Sequence, residues 1–398
     1  MSDITHEFES RLSRPVGLKL PEFQRNERLF HVILPHQFTQ QSLNRLGASA
    51  DKIRKLSTSK EGADALRCLL SHKSAMFYFT QASTRTFLSL RSACKRLGMS
   101  TEEIRDPSLS SEVKGESEYD SIRMFSSYFD LIVMRTKKAN LAECCAYLMN
   151  DLLASGQPGV PVINGGSGAD QHPTQALLDI YTLQRAFAFR SPRDSSQWTL
   201  FDSLHKKHPD LRKGLDGKTY VFSGDIGRGR TVRSLAYLLA YNKNVKMRFV
   251  APNHEKLRLS RDVKEYLRNQ DIEVSEHSDL EEVIESADAL YMTRFQNEHN
   301  KAEDSAMLSE ASLKAIRLTP QLVEKMKEYA VILHPFPRNK ELPGEIDLNP
   351  RARYFEQAVN GMWIRAALLA HIFDVETQVN EIYNAFAKQV HDYNESVL

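Results

Sequence analysis

The segment from Phe77 to Thr86 reads FYFTQASTRT, a short aromatic run that ends in hydroxyls and an arginine. Leu90, Ala93, Cys94 and Leu97 then recur at the i, i+3, i+4, i+7 spacing of a helix before Gly98. A helix beginning here offers unpaired N–H groups and its positive dipole end, and Ser83, Thr84, Arg85 and Thr86 add donors at the same point. That chemistry suits a phosphate or a carboxylate. On this segment alone, Ser83 as an N-cap and Arg85 as a solvated first-turn residue fit equally well.

A second candidate is DQHPTQ, residues 170–175, which follows the apolar run Val160–Ile163 and a glycine-rich turn. Pro173 suits the first position of a helix, so His172 projects from a strand-to-helix junction, where open α/β sheets bind ligands. A third, GDIGRGR at 224–230, follows Tyr220–Ser223 and opens a helix with Val232, Leu235, Ala236 and Leu239 on one face. Its spacing is G-x-x-G-x-G and no acidic residue ends the next strand, so a nicotinamide cofactor is a weak fit. Arg230 at the helix start and Arg294 in YMTRFQ suit an anionic substrate better, and two arginines from separate strand ends can grip a dicarboxylate. Finally, HPFPR at 334–338 places two prolines around Phe336, an extended turn whose carbonyls are left to accept hydrogen bonds, or simply a rigid strand exit.

These residues need a scaffold, and the apolar runs supply one. Ala75–Phe79, Leu131–Met134, Val160–Ile163, Tyr220–Ser223, Met247–Ala251, Ala289–Met292 and Ala330–Leu333 read as strands alternating with helical patterns. The pattern predicts an α/β protein of two lobes, each a parallel sheet flanked by helices, with a cleft between them. The chain has 398 residues, 41% hydrophobic and 26% charged, with 53 Lys+Arg against 51 Asp+Glu. That balance gives no bulk basic field for nucleic acid or an anionic membrane. No apolar run is long enough to span a bilayer and the opening MSDITHEFES lacks signal-peptide character, which predicts a cytoplasmic protein. Cys68, Cys94, Cys144 and Cys145 are too few and too irregular for a disulfide framework or zinc site and read as buried free thiols. Residues 190–214 read as a surface insertion with a little helix, and Pro15 and Pro21 interrupt any long helix in the polar first 30 residues.

Taken in order, STRT, SSEVKGE, VMR, HPTQ, GDIGRGRTV, YMTRFQ and HPFPR closely resemble the catalytic chains of aspartate carbamoyltransferases, within the aspartate/ornithine carbamoyltransferase superfamily, from about residue 45 to 375. Ornithine enzymes usually carry a Cys in the late His-x-x-Pro motif, so HPFPR with Arg294 and Gln296 favours aspartate. The resemblance implies a domain for carbamoyl phosphate at 1–170, completed by helices at about 356–398, and an aspartate domain at 171–355. It implies that Ser83, Thr84, Arg85 and Thr86 hold the phosphate, that Arg135 bridges phosphate and carbonyl oxygen, and that His172 and Thr86 polarise that carbonyl. Gln175 and the backbone carbonyls of Pro335 and Phe336 would hold the carbamoyl amide, while Arg230, Arg294 and Gln296 take aspartate. Ser110 and Lys114 would come from a neighbouring subunit of a homotrimer with shared active sites. No metal or cofactor is implied, because two substrates held in line gain rate from orientation and electrostatics.

The sequence departs from this pattern at four positions. Phe87 stands where STRTR has arginine, Arg91 stands where an acid usually follows one turn later, and Gln81 and His299 replace charges that help bridge the lobes in family members. These departures keep a second class open: a catalytically weak homologue serving as a subunit or scaffold, or a transferase with another amino-acid acceptor. A regulatory chain or a dihydroorotase-like partner is a further possible addition to such a trimer.

Overall fold

A computed structural model describes residues 4–106, 116–167, 171–189, 200–295 and 310–397. The chain divides into two compact units, Met1–Leu178 with Val359–Leu398, and Asp179–Ala358. The first unit contains a short antiparallel pair, β1 (Gln24–Arg25) with β2 (Arg28–Leu29). Its main sheet is parallel, in the order β4 (Ser100–Ile104), β3 (Ser74–Phe79), β5 (Leu131–Arg135), β6 (Val162–Asn164). The second unit holds a parallel sheet in the order β11 (Val331–Leu333), β10 (Ala289–Met292), β7 (Thr219–Ser223), β8 (Lys246–Val250), β9 (Glu273–His277).

All seven apolar runs form strands, with ends within two residues of the runs. In the two main sheets, two strands carry no apolar run. β4 is STEEI and β9 is EVSEH, and each is an edge strand whose side chains are mostly exposed or half-buried. Charged side chains on an edge discourage pairing with another chain, so the edge position removes the signal that marks a buried strand. The central strands, buried on both faces, read as continuous apolar runs.

Helices Thr84–Arg96 and Arg230–Leu239 bury the residues their periodicity names, Leu90, Ala93 and Cys94 in one and Val232, Leu235, Ala236 and Leu239 in the other. Cys94, Cys144 and Cys145 are buried and form no disulfide, and burial pushes the Cys94 thiol up to about 12. Cys68 corrects the expectation of four buried thiols. It closes helix Lys60–Cys68 and is exposed.

From Ile4 onward, the N-terminal segment is built into the core of the first unit. Ile4, Phe8 and Phe23 are buried, Phe23 stacks on Tyr147 at 5.7 Å, and Lys19 reaches Glu143 at 2.7 Å. Pro15 caps the short helix Val16–Lys19, which is how this polar segment turns without one long helix. In the 190–214 segment, residues 190–199 lie outside the described residues and Leu200–Lys207 is helical. No helix among the described residues is long and apolar enough to cross a membrane.

Candidate active site

In the first unit, register brings the candidate groups to one edge of the sheet. Phe79 pairs with Arg135 and Met134 with Asn164, so the chain leaves β3, β5 and β6 at neighbouring points of the carboxyl edge. The three exits carry Ser83 to Thr86, Arg135, and His172 with Gln175. This edge is where parallel sheets place ligand-binding groups, because helix N-termini face it.

Ser83 is the N-cap of helix Thr84–Arg96, extended in backbone, and makes no side-chain cap hydrogen bond. Thr86, buried in the first turn, places Oγ1 3.5 Å from His172 Nε2. The Gln175 N–H is shared between the His172 carbonyl oxygen at 3.0 Å and ring Nδ1 at 3.3 Å. An acceptor at Nδ1 puts the proton of a neutral imidazole on Nε2, the nitrogen beside Thr86. The ring is therefore set to donate, not to take a proton. Arg135 donates from Nη1 to the Gly165 carbonyl oxygen at 2.9 Å, and the Gln81 N–H donates to the Arg135 carbonyl at 3.0 Å.

Sequence reasoning missed what holds this loop. Buried Asn164, at the end of β6, accepts the N–H groups of Gly166 at 2.8 Å and Ser167 at 3.0 Å through Oδ1. Asn before Gly-Gly is a turn signal, and here it shapes the floor beneath His172. Gly166 has φ +94°, and a Cβ there would lie 2.5 Å from His172 Cδ2 and 2.8 Å from Nε2. Gly166→Ala is expected to turn the imidazole away and lower turnover by about tenfold to 100-fold, since a displacement near 1 Å is enough for that. Steady-state kinetics beside a circular dichroism spectrum check this, and a folded variant with normal turnover would contradict it.

Phe87 and Arg91 have structural partners. Phe87 is buried and meets Phe77 at 5.6 Å and Phe79 at 5.3 Å, both edge-on. Arg91 pairs with Glu103 of β4 at 2.6 Å and donates from Nε to Thr101 at 3.1 Å, while the guanidinium groups of Arg91 and Arg105 lie 5.7 and 5.0 Å from the Phe87 ring. The ion pair expected within the helix is replaced by an aromatic cluster beneath it and an ion pair to the neighbouring strand. Gln81 Oε1 is buried with no hydrogen-bond partner among the described residues. His299 lies outside those residues, as do Ser110, Lys114 and Gln296.

In the second unit, Ser223 pairs with Met292 and Tyr291 with Leu333, so β7, β10 and β11 likewise end side by side. Arg230, Arg294, and Pro335 with Phe336 follow these three ends. The glycines of GDIGRGR serve chain packing: Gly224 has φ +121° and its absent Cβ would lie 2.0 Å from the Thr293 carbonyl oxygen. Buried Asp225 clamps Arg228 at 3.0 and 2.8 Å, and its N–H donates to Thr293 Oγ1 at 3.1 Å. Arg228 thus belongs to the turn, and Arg230 is the first residue of helix Arg230–Leu239. Arg294 donates to the Phe295 carbonyl at 3.4 Å. The first unit presents cationic and hydroxyl groups at the carboxyl ends of its strands, and the second presents arginines at the ends of its own, chemistry suited to anionic oxygens.

Known proteins resemble the chain over most of its length. The family profile described as aspartate/ornithine carbamoyltransferase, carbamoyl-P binding domain, matches residues 31–185, and the Asp/Orn binding domain of the same family matches 216–372. The chain is 38% identical over 345 residues to aspartate carbamoyltransferase 1, chloroplastic, of Pisum sativum, covering 86% of this chain and 78% of that protein. It is 35% identical to the aspartate carbamoyltransferase catalytic subunit of Methanospirillum hungatei, covering 86% of this chain and 99% of that one. Among solved structures, aspartate transcarbamoylase of Trypanosoma cruzi in complex with carbamoyl phosphate and aspartate has a TM-score of 0.71 at 31% identity, with 86% of this chain and 96% of that one covered.

Proposed function

Because the chain belongs to the aspartate/ornithine carbamoyltransferase family, we propose that it joins carbamoyl phosphate to L-aspartate, giving N-carbamoyl-L-aspartate and phosphate, an early step of pyrimidine biosynthesis. The chain is a transferase. The single observation that best supports the chemistry is the imidazole of His172, held with Nδ1 accepting and Nε2 beside Thr86. A neutral donor in that setting stabilises negative charge as it develops on a carbonyl oxygen.

The reaction forms a bond from the aspartate amine nitrogen to the carbamoyl carbon and breaks the bond from that carbon to the phosphate oxygen. Phosphate leaves with the electron pair and can take the amine proton. In this reading Ser83, Thr84, Arg85 and Thr86 hold the phosphate, Arg135 spans phosphate and carbonyl oxygen, and His172 with Thr86 polarises the carbonyl. Gln175 and the carbonyls of Pro335 and Phe336 hold the carbamoyl amide. Arg230, Arg294 and Gln296 take the two carboxylates of aspartate, and Ser110 and Lys114 reach the phosphate of a neighbouring subunit in a closed threefold ring. The phosphate falls to residues of the first unit and the aspartate carboxylates to residues of the second.

The packing of Phe87 and the Arg91–Glu103 pair support an active enzyme over a scaffold, since these departures have local replacements that leave the start of the phosphate helix anchored. The Squalus acanthias multifunctional protein CAD is 35% identical over 342 residues, a match covering 13% of that protein. In this reading the chain works in the cytoplasm, where a dihydroorotase-like or regulatory chain could join the trimer. The purified chain, given carbamoyl phosphate, is expected to form carbamoyl aspartate from aspartate far faster than citrulline from ornithine. A colorimetric assay of both products checks this, and faster carbamoylation of ornithine would overturn the substrate assignment.

A further inference from the structure

The turn after β11 is held by a chain of buried hydrogen bonds within the second unit. Asp179, fully buried, accepts from Tyr291 Oη at 2.9 Å and from Gln357 Nε2 at 2.6 Å. Gln357 Oε1 in turn accepts the His334 N–H at 2.8 Å. His334, 1% exposed, accepts the Phe336 N–H at Nδ1, 2.8 Å away, and donates from Nε2 to Glu341 Oε1 at 3.0 Å. The tautomer follows from these partners, since Nδ1 must be bare to accept a backbone N–H and the remaining proton then sits on Nε2. Glu341 is a carboxylate: burial alone would raise its pKa, but the bonds from His334 and the Asn339 N–H hold it below the ordinary value.

Phe336 has φ +56°, in the left-handed region that a bulky side chain rarely enters. Something must hold it there, and the bond from its N–H to the ring two residues earlier is a local constraint able to do so. That N–H shares its peptide plane with the Pro335 carbonyl, and the plane on the other side of the Phe336 Cα carries the Phe336 carbonyl. We propose that His334 is a positioning residue for the transfer reaction: by accepting the Phe336 N–H through Nδ1, it aims the carbonyls of Pro335 and Phe336 at the carbamoyl amide. Tyr291, Asp179 and Gln357 fix His334 from behind, and Glu341 fixes its tautomer. This role rests on the reading that those two carbonyls hold the amide.

The two ring nitrogens separate a positioning role from a merely structural one. In His334→Asn the amide oxygen lies near the place of Nδ1 and can still accept the Phe336 N–H, while the contact with Glu341 is lost. In His334→Gln the amide reaches the place of Nε2 and keeps Glu341, while Phe336 is released. The asparagine variant is expected to keep kcat within about threefold of wild type, and the glutamine variant to lose about 30-fold with a raised KM for carbamoyl phosphate and little change in KM for aspartate. Glu341→Gln, which keeps the Phe336 bond, should behave like the asparagine variant. Equal kcat in the asparagine and glutamine variants would overturn the proposal. If His334→Gln does not fold, a folded His334→Asn or Glu341→Gln variant that loses turnover overturns it alone. A wild-type chain that forms no carbamoyl aspartate would defeat the functional reading instead, so the two failures are distinguishable.

Discussion

His172→Ala is expected to lower turnover by about 100-fold while leaving the affinity for carbamoyl phosphate nearly unchanged. In the proposed site the phosphate is bound mainly by charge and by donors at the start of helix Thr84–Arg96, so losing the imidazole should remove little ground-state binding. Attack of the amine moves negative charge onto the carbamoyl oxygen, and a fixed donor there gains strength as the charge grows. Because the Gln175 N–H points at Nδ1, the donating nitrogen is Nε2. His172→Gln, whose amide N–H reaches about as far as Nε2, should recover part of the loss, whereas His172→Asn should not. Steady-state kinetics with calorimetric titration of carbamoyl phosphate separate the two effects. A His172→Ala variant with normal turnover, or one whose whole defect is in affinity, would remove the carbonyl role.

Elements whose folding depends on burial alone were legible in the residue order. β5 and β7 are buried almost throughout, and a strand buried on both faces reads as a near-continuous apolar run, here with polar residues only at the strand ends. β4 and β9 were not legible because edge strands are kept charged, and Glu103 of β4 even serves as the partner of Arg91. The donor groups of the site were visible because Ser83, Arg85, His172 and Arg230 stand at strand-to-helix junctions, which local sequence marks. Their supports were not. Asn164 before two glycines marks a turn, but not that the turn's backbone N–H groups on its Oδ1 set the floor beneath His172. Asp179 and Gln357 meet across 178 positions of chain, and no local pattern announces such a bond. Phe87 looked like a lost charge, since a missing ion pair is visible in sequence while an aromatic cluster with Phe77 and Phe79 becomes visible only in the folded sheet.

Arg85→Ala should weaken carbamoyl phosphate binding by about 2–4 kcal/mol, roughly 30-fold to 1000-fold, because a dianion loses the guanidinium nearest the start of its helix. Arg85→Lys should fall between, keeping the charge but not the two-pronged geometry. The Arg85→Ala variant should also show a weaker dependence of binding on salt, since one charge fewer is left to screen. Unchanged affinity by calorimetry would move the phosphate elsewhere. The same variant tests the proposed sharing of sites between subunits. A chain with Lys114→Ala keeps its own Arg85, and a chain with Arg85→Ala keeps Lys114 to lend. In any mixed threefold ring, one of the three interfaces joins an intact Arg85 to an intact Lys114. Random mixing of the two inactive chains in equal amounts should therefore restore about a quarter of wild-type activity. No recovery in trimers shown by mass to be mixed would mean that each chain completes its own phosphate site.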